Sequence, residues 1–368
     1  MNRSTTLGEI SDIITGPFGS QLHMSDYVEE GIPVIMPQDI VDGTVSLESI
    51  AHISNEDYNR LIRYAVTNND IIFARRGDIE KHAFITDDSL LLCGTGCFRV
   101  RITDSSIYPL FLSYFLDRLE TRKWLTTHAI GSNMPNLNTT ILSSVPVELP
   151  DYEEQVKIGD FLYNIEKKIQ CNKKINDNLQ QMATTAYMHL FHCKKSNGRL
   201  GDILIENPKS TIQVGEAKDK TGDFPFFTSG DSILRWTEPI VDGRNTFLNT
   251  GGNADVKFYV GKTAYSTDTW CITARNDMED YLYLLLNSIR QELNLKYFQG
   301  TGLKHLQKPL LKDRAVYIPS NSEITSFNAE IKPWLTMISN NTRESYRLSA
   351  LRDWLLPMLM NGQATIAY

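Results

Sequence analysis

The sequence predicts an α+β chain written twice, in which each copy is a variable module followed by a long helix. Three observations predict it: an internal repeat, a capping box at the same place in each copy, and apolar positions recurring every seven residues after each box. Leu7-Gly8-Glu9-Ile10 recurs as Leu200-Gly201-Asp202-Ile203, an offset of 193. Further along the offset is 169, where Gly131, Leu137, Leu142, Val147 and Pro150 align with Gly300, Leu306, Leu311, Val316 and Pro319. The difference of 24 residues is sequence carried only by the front part of the first copy. Edges that stay in register around a divergent interior mark a duplicated structural unit.

After each aligned proline a helix begins. Asp151-x-x-Glu154 and Ser320-x-x-Glu323 place a side-chain acceptor three residues before a glutamate, the pattern that satisfies the free amides of a first turn. In the first helix one seam line is Ile158, Ile165, Asn172, Leu179 and Ala186, with a companion line Phe161, Lys168, Ile175, Met182 and His189. In the second helix the lines are Phe327, Trp334, Asn341, Leu348 and Leu355, and Glu330, Met337, Glu344, Leu351 and Met358. Imperfect heptads that persist over about five repeats favour a coiled coil over a lone surface helix. At ~1.5 Å per residue, each helix of about forty residues is about 60 Å long. Asn172 and Asn341 hold the same seam position midway along their helices. Antiparallel packing brings them close, where a buried polar pair penalises slipped registers; the alternative is that both reach solvent at a weak point of the seam. Pro357 is expected to kink the final turn and Asn361-Gly362 to cap it. That apolar end needs cover, from the front modules or from another protein.

The chain has 368 residues, so two or more cores are expected. Its 41% hydrophobic and 22% charged content is that of an ordinary globular protein. No apolar run reaches bilayer-spanning length, and Met1 to Thr6 is polar, so no membrane association and a cytoplasmic location are expected. Cys93, Cys97, Cys171, Cys193 and Cys271 lack framework spacing and read as reduced thiols. His189-x-x-His192-Cys193 closes a helix pattern and lacks the four ligands of a structural metal site, so no metal is expected. There is no P-loop and no glycine fingerprint after a strand. Asn207-Pro208-Lys209-Ser210 lacks the second proline and the aromatic of an amino-methyltransferase motif. A non-catalytic chain without a cofactor of its own is the expectation.

Charge opposes one class of partner. The net charge is −7, the wrong sign for neutralising phosphates. Residues 1–150 carry eleven Lys/Arg against nineteen Asp/Glu, a net of −8; residues 151–198 give +1, and 199–320 and 321–368 give zero. Composition taken alone favours a function away from nucleic acid. A DNA binder with this balance needs local basic clusters, or a partner that supplies the phosphate attraction.

The order of motifs resembles the specificity subunits of type I restriction–modification systems. Leu149-Pro150-Asp151-Tyr152-Glu153-Glu154-Gln155-Val156-Lys157-Ile158 is similar to the family's entry to its first long helix. Gly16-Pro17-Phe18-Gly19-Ser20-Gln21-Leu22 and Asp70-Ile71-Ile72-Phe73-Ala74-Arg75-Arg76-Gly77-Asp78 resemble segments of a first recognition domain. Phe226-Phe227-Thr228-Ser229-Gly230 and Thr250-Gly251-Gly252-Asn253-Ala254 resemble a different recognition lineage. Leu355 to Gln363 resembles the terminal signature, with glutamine in place of the acid. Two departures are the second helix entry, Ile318-Pro319-Ser320-Asn321-Ser322-Glu323, which lacks the Glu-Gln pair, and the acidic first domain.

The resemblance implies an α+β fold of two target-recognition domains with mixed and antiparallel β structure, separated by two long antiparallel coiled-coil helices with a pseudo-two-fold repeat. The segments are recognition domain 1 (1–150), a central spacer helix (151–198), recognition domain 2 (199–320) and a C-terminal helix that pairs with the central one (321–368). It implies that each domain reads one half of an interrupted double-stranded DNA target and that the helix pair sets the gap. Two methyltransferase subunits would dock on the chain, joined by restriction–translocase subunits. The partners would use S-adenosylmethionine, and ATP with Mg for restriction. The alternatives are a specificity subunit of a fused methylase–nuclease, a module of another phage-defence system, or a duplicated protein-interaction scaffold.

Candidate DNA contacts in the first domain are Arg75, Arg76 and Gly77, with Lys81, Arg99 and Arg101 extending the basic surface. Arginine can hold guanine bidentately and glycine admits close backbone approach; the competing reading is a set of solvated strand-edge charges. Gly16 to Ser20 is either a DNA-facing loop or a turn that holds the N-terminal strand. In the second domain the candidates are Ser229, Arg235, Arg244, Asn245 and Asn253, since asparagine can read adenine through two hydrogen bonds. Gly251-Gly252-Asn253 also fits an ordinary turn, and Trp236 reads as packing. Lys257, Lys262, Lys304 and Lys308 are candidates for phosphate contacts, which position without specifying.

Overall fold

The computed structural model describes residues 3–131, 134–218 and 220–366. The chain divides into two compact units, residues 1–167 with 348–368, and residues 168–347. The division crosses both long helices, so each unit contains one front module and part of each helix.

In the first unit the strands that carry the repeat are β1 (Arg3–Thr6), β2 (Ser11–Thr15), β3 (Ile71–Ala74), β4 (His82–Phe84), β5 (Cys97–Ile102) and β6 (Pro146–Leu149). β1 pairs antiparallel with β6, and the sheet order is β4-β3-β5-β2. The repeated motif is one helical turn, Leu7–Ile10, that buries Leu7 and Ile10. In the second unit the equivalents are β7 (Gly198–Arg199), β8 (Leu204–Glu206), β9 (Arg244–Asn249), β10 (Val256–Val260), β11 (Thr269–Ala274) and β12 (Ala315–Val316). β7 pairs with β12, the turn Leu200–Ile203 again buries its Leu and Ile, and the sheet order is β8-β11-β9-β10. Read from the other edge, that is the order of the first unit.

The modules differ in their second sheet. The first unit has a mixed five-stranded sheet whose central strand Ile32–Ile35 runs parallel to Leu91–Cys93 and antiparallel to Ala51–Ile53. The second unit has only three strands there, Leu234–Trp236, Phe224–Phe227 and Ala264–Tyr265. The longer front part of the first copy is used on these extra strands. Each unit has its own core. In the first, Leu7, Phe73, Phe98 and Phe111 pack with Ile158 and Leu162 of the first long helix. In the second, Leu200, Leu248, Trp270 and Leu282 pack with Ile324, Phe327 and Ile331 of the second.

The long helices span Tyr152–Phe191 and Asn321–Met360, forty residues each. Their starts are capped as the sequence predicts. Glu154 N donates to Asp151 Oδ1 at 3.0 Å, and Ser320 and Glu323 bond reciprocally, with Ser320 N to Glu323 Oε2 at 2.8 Å. The second helix ends at Gly362 (φ +68°), where Gln363 N reaches back to Met358 O at 2.8 Å. Leu359 and Met360 are covered by the core of the first unit, so the front module buries the apolar end.

The companion seam lines need correction. Ile158, Ile165 and Asn172 are buried as expected, but Lys168, Ile175 and Met182, and Glu330, Met337, Glu344 and Leu351, face solvent. The inward companions lie one residue further on, at Leu162 and Ala183, and at Ile331 and Leu359. At 3.6 residues per turn the i+4 position stands about 40° from the seam, and i+3 about 60° away on the other side; the contact takes the nearer one.

Asn172 and Asn341 are also placed differently from expectation: each pairs off the other. Asn172 is 1% exposed, and its Nδ2 donates to Glu344 Oε2 (2.8 Å) and Ser345 Oγ (3.2 Å). Asn341 Nδ2 donates to Asn176 Oδ1 (2.9 Å). Residue 172 lies against 345 and residue 176 against 341, so the helices run antiparallel there. With the offset of 169, the two contacts are copies of one another. Asn172 Oδ1 is buried without a partner.

Candidate nucleic-acid interface

The two glycine-containing loops singled out from the sequence occupy the same place in their respective modules. β3 is buried along its whole length, Ile71 to Ala74, and delivers the chain into Arg75. There Arg75 N donates to Gly96 O (2.7 Å), Leu137 N donates to Arg75 O (2.9 Å), and Gly77 N donates to Pro135 O (3.1 Å). β9 delivers the chain into Thr250, where Thr250 N donates to Asp268 O (2.9 Å), Leu306 N donates to Thr250 O (3.0 Å), and Gly252 N donates to Lys304 O (3.0 Å). Residues 135 and 137 shifted by 169 are 304 and 306. Arg76 bridges to Asn136 and Gly251 to His305, again one offset apart. Arg75-Arg76-Gly77-Asp78 and Thr250-Gly251-Gly252-Asn253 are therefore one backbone structure with two sets of side chains. The third position is left-handed in both, Gly77 at φ +76° and Gly252 at +83°, with open space where a Cβ would stand. Only glycine takes that conformation at no steric cost.

The side chains at the loops differ. In the first, Arg75 is half-buried with its guanidinium 5.8 Å from the Phe18 ring centroid, and its Nε is buried without a hydrogen-bond partner. Arg76 is exposed and forms no ion pair among the described residues. Lys81 is tied to Asp78 at 3.1 Å, with both side chains more than half exposed. A pair this open to water is worth little and is readily exchanged for another anion. In the second loop, buried Asn249 holds the turn, donating to Gly251 O (2.7 Å) and Asn253 O and accepting from Asp255 N (2.7 Å). The Asn253 side chain is left exposed.

Gly16 to Ser20 does two things. Gly16 lies so close to Gly94 that a Cβ would stand 2.0 Å from its carbonyl oxygen, so it is packing. Phe18, two residues on, is exposed beneath Arg75. The Ser229 loop is fastened by Lys257, whose ammonium donates to Thr228 O (3.2 Å) and Gly230 O and pairs with Asp255 (3.4 Å).

Several residues assigned to the DNA-facing set are engaged inside the protein. Arg99 is 6% exposed and donates to Arg63 O (3.1 Å), Ala65 O (3.0 Å) and Asp12 Oδ2 (2.9 Å). Arg101 is bound to buried Asp70 at 2.7 Å. Arg244 grips fully buried Asp280 through two bonds of 2.6 and 2.7 Å and reaches Thr336 of the long helix at 2.9 Å. Burial raises the Asp280 carboxyl pKa and the bonds from Arg244 oppose that shift. Asn245 is buried between Asn207 and Asp242 O. Arg235 donates to Gly222 O and Asp223 O and stands 3.6 Å above the Tyr346 ring. Lys257 is the fastener of the Ser229 loop. Lys262 is exposed, but at the end of β10 away from the glycine loop. Lys308 lies 4.9 Å from the Trp270 ring, where burial lowers its pKa. Arg75, Arg76, Gly77 and Lys81 remain together in the first unit, and Ser229 and Asn253 remain in the second.

Of the residues that back the loops, Pro135, Asn136, Lys304 and His305, only Lys304 was among the sequence candidates, although the 169 offset begins just before them, at Gly131 and Gly300. Among the described residues no group of three or more His, Cys, Asp or Glu could hold a metal ion, and no helix is long and apolar enough to cross a membrane. The five cysteines are free.

Fold and site together define a duplicated recognition scaffold that presents two non-identical loops on one backbone plan. Residues 3–181 match the family model described as the type I restriction modification DNA specificity domain. The chain is 21% identical over 315 residues to the type I restriction enzyme MjaIX specificity subunit of Methanocaldococcus jannaschii, covering 73% of this chain and 72% of that one. It is 29% identical over 133 residues to the EcoBI specificity subunit of Escherichia coli, 36% of this chain and 28% of the relative. The crystal structure of the type I restriction–modification S subunit from M. genitalium shares the fold, with a TM-score of 0.69 at 14% identity over 98% of this chain and 96% of the other. These comparisons liken the chain to the specificity subunits of type I restriction–modification systems.

Proposed function

We propose that the chain gives a methyltransferase complex its DNA sequence preference and catalyses nothing itself. The observation that carries this reading is the equivalence of Arg75-Arg76-Gly77-Asp78 with Thr250-Gly251-Gly252-Asn253: one loop geometry, presented once per module, with different side chains. Two readers of one plan but different chemistry suit an interrupted, asymmetric duplex target. Exposed Arg76 has the donors to hold guanine or phosphate, and exposed Asn253 the amide to pair with adenine. The helix pair sets the gap between the two contacted segments. Methyltransferase subunits using S-adenosylmethionine dock on the chain, and restriction subunits using ATP and Mg join them.

The charge fits a division of labour. A module at −8 gains little from phosphate attraction, so the methyltransferase partners supply much of the grip. Purified chain alone is expected to bind cognate duplex far more weakly than the complex. The direct test is methylation mapping by single-molecule sequencing of cells with and without the gene. Loss of modification at one interrupted motif supports the reading; an unchanged methylome in cells that express the methyltransferase contradicts it.

A further inference from the structure

Each module carries a large apolar side chain in the open at a matched position. Met134 is 64% exposed and Leu303 65% exposed, and the two are one repeat offset of 169 apart. Each stands three residues after a glycine with positive φ, Gly131 at +99° and Gly300 at +150°. The next residue in each case, Pro135 or Lys304, is the one whose carbonyl accepts from the left-handed glycine of the reading loop. Leu303 Cδ2 stands 3.8 Å from where a Cβ on Gly251 would be. Single exposed hydrophobics are common and need no explanation. The coincidence here does: both modules keep an uncovered large apolar side chain one residue before the carbonyl that accepts from the loop glycine.

Resting on the reading proposed above, we propose that Met134 and Leu303 are apolar wedges, one per module, that press into the base stack of the duplex beside the reading loops. Neither side chain can hydrogen-bond a base edge, so neither reads sequence as Arg76 or Asn253 can. Apolar side chains inserted at a base step unstack it and kink the duplex. A methyltransferase must extrude its target base, at a cost that falls when the stack is already loosened. A wedge in the specificity subunit lowers that cost next to the sequence it has recognised. The same location favours DNA over a protein partner as the occupant, because the tip and the reading loop share one hydrogen-bonded backbone.

The test uses the full chain in complex with its methyltransferase, on duplexes carrying the mapped motif with 2-aminopurine placed in turn at steps other than the methylated base. Wild type is expected to raise the fluorescence at one step in each half of the motif. Met134→Ala should abolish the rise in one half and Leu303→Ala in the other, each weakening cognate binding about tenfold, the factor that corresponds to losing burial of one such side chain. Met134→Leu and Leu303→Met should retain the signal. Unchanged fluorescence in both alanine variants overturns the wedge. So does failure of either variant to assemble with the methyltransferase in the absence of DNA, which assigns the tip to a protein contact. A wild-type complex with no sequence preference overturns instead the reading on which the wedge rests.

Discussion

Arg76 and Gly251 hold the same backbone position with opposite chemistries, a free cation in one module and no side chain in the other. On the proposed function, recognition at that point is unequal. Arg76→Ala is expected to cost about 1–3 kcal/mol of cognate binding and to relax the preference at one base pair of one half-site. Lys81→Ala should weaken all sequences alike, as loss of a phosphate contact does; the two outcomes are separable by binding to a panel of single-base variants. Arg244 makes the contrasting case. Removing it strands the buried Asp280 carboxylate, so Arg244→Ala should destabilise the second unit by about 3–5 kcal/mol in denaturant unfolding. Unaltered stability with lost DNA binding would return Arg244 to the interface. The residue types were legible in the sequence and their direction was not. Cys97, Arg99 and Arg101 alternate with Phe98, Val100 and Ile102, which reads as a strand with one wet face. The second sheet covers part of that face, burying Cys97 and Arg99, and nothing local to residues 97–102 announces the cover.

At the level of elements, what could be read from sequence was what depends on near neighbours. The helix starts followed from side chains three residues apart, and the aligned positions Leu142 and Leu311, or Val147 and Val316, are buried in both copies. The companion seam was misplaced by one residue because imperfect heptads fit two adjacent lines almost equally. Asn172 and Asn341 show the same limit: their shared register was legible, while their partners were set by the lateral offset of two helices. Their polar cluster costs packing, including the unpartnered Asn172 Oδ1. The double variant Asn172→Leu with Asn341→Leu is expected to raise the melting temperature by a few degrees while populating mis-registered or oligomeric species in light scattering. A lower melting temperature with a single species would instead mark the cluster as a net source of stability.

The whole molecule is best read as one plan used twice. The duplication was visible at its edges, and its consequence for function emerged only when β3 and β9 proved to deliver equivalent loops. That equivalence has an offset of 175, between the 193 and 169 that flank it in the sequence, because the first copy's extra strands intervene. No single alignment offset would have found it. The central claim is that the two loops serve two independent readers. Its most direct measurement is methylation mapping after residues 1–150 are exchanged for the corresponding module of a relative with a different target. One half of the modified motif should change while the other half and the gap stay as they were. A motif altered in both halves would contradict it.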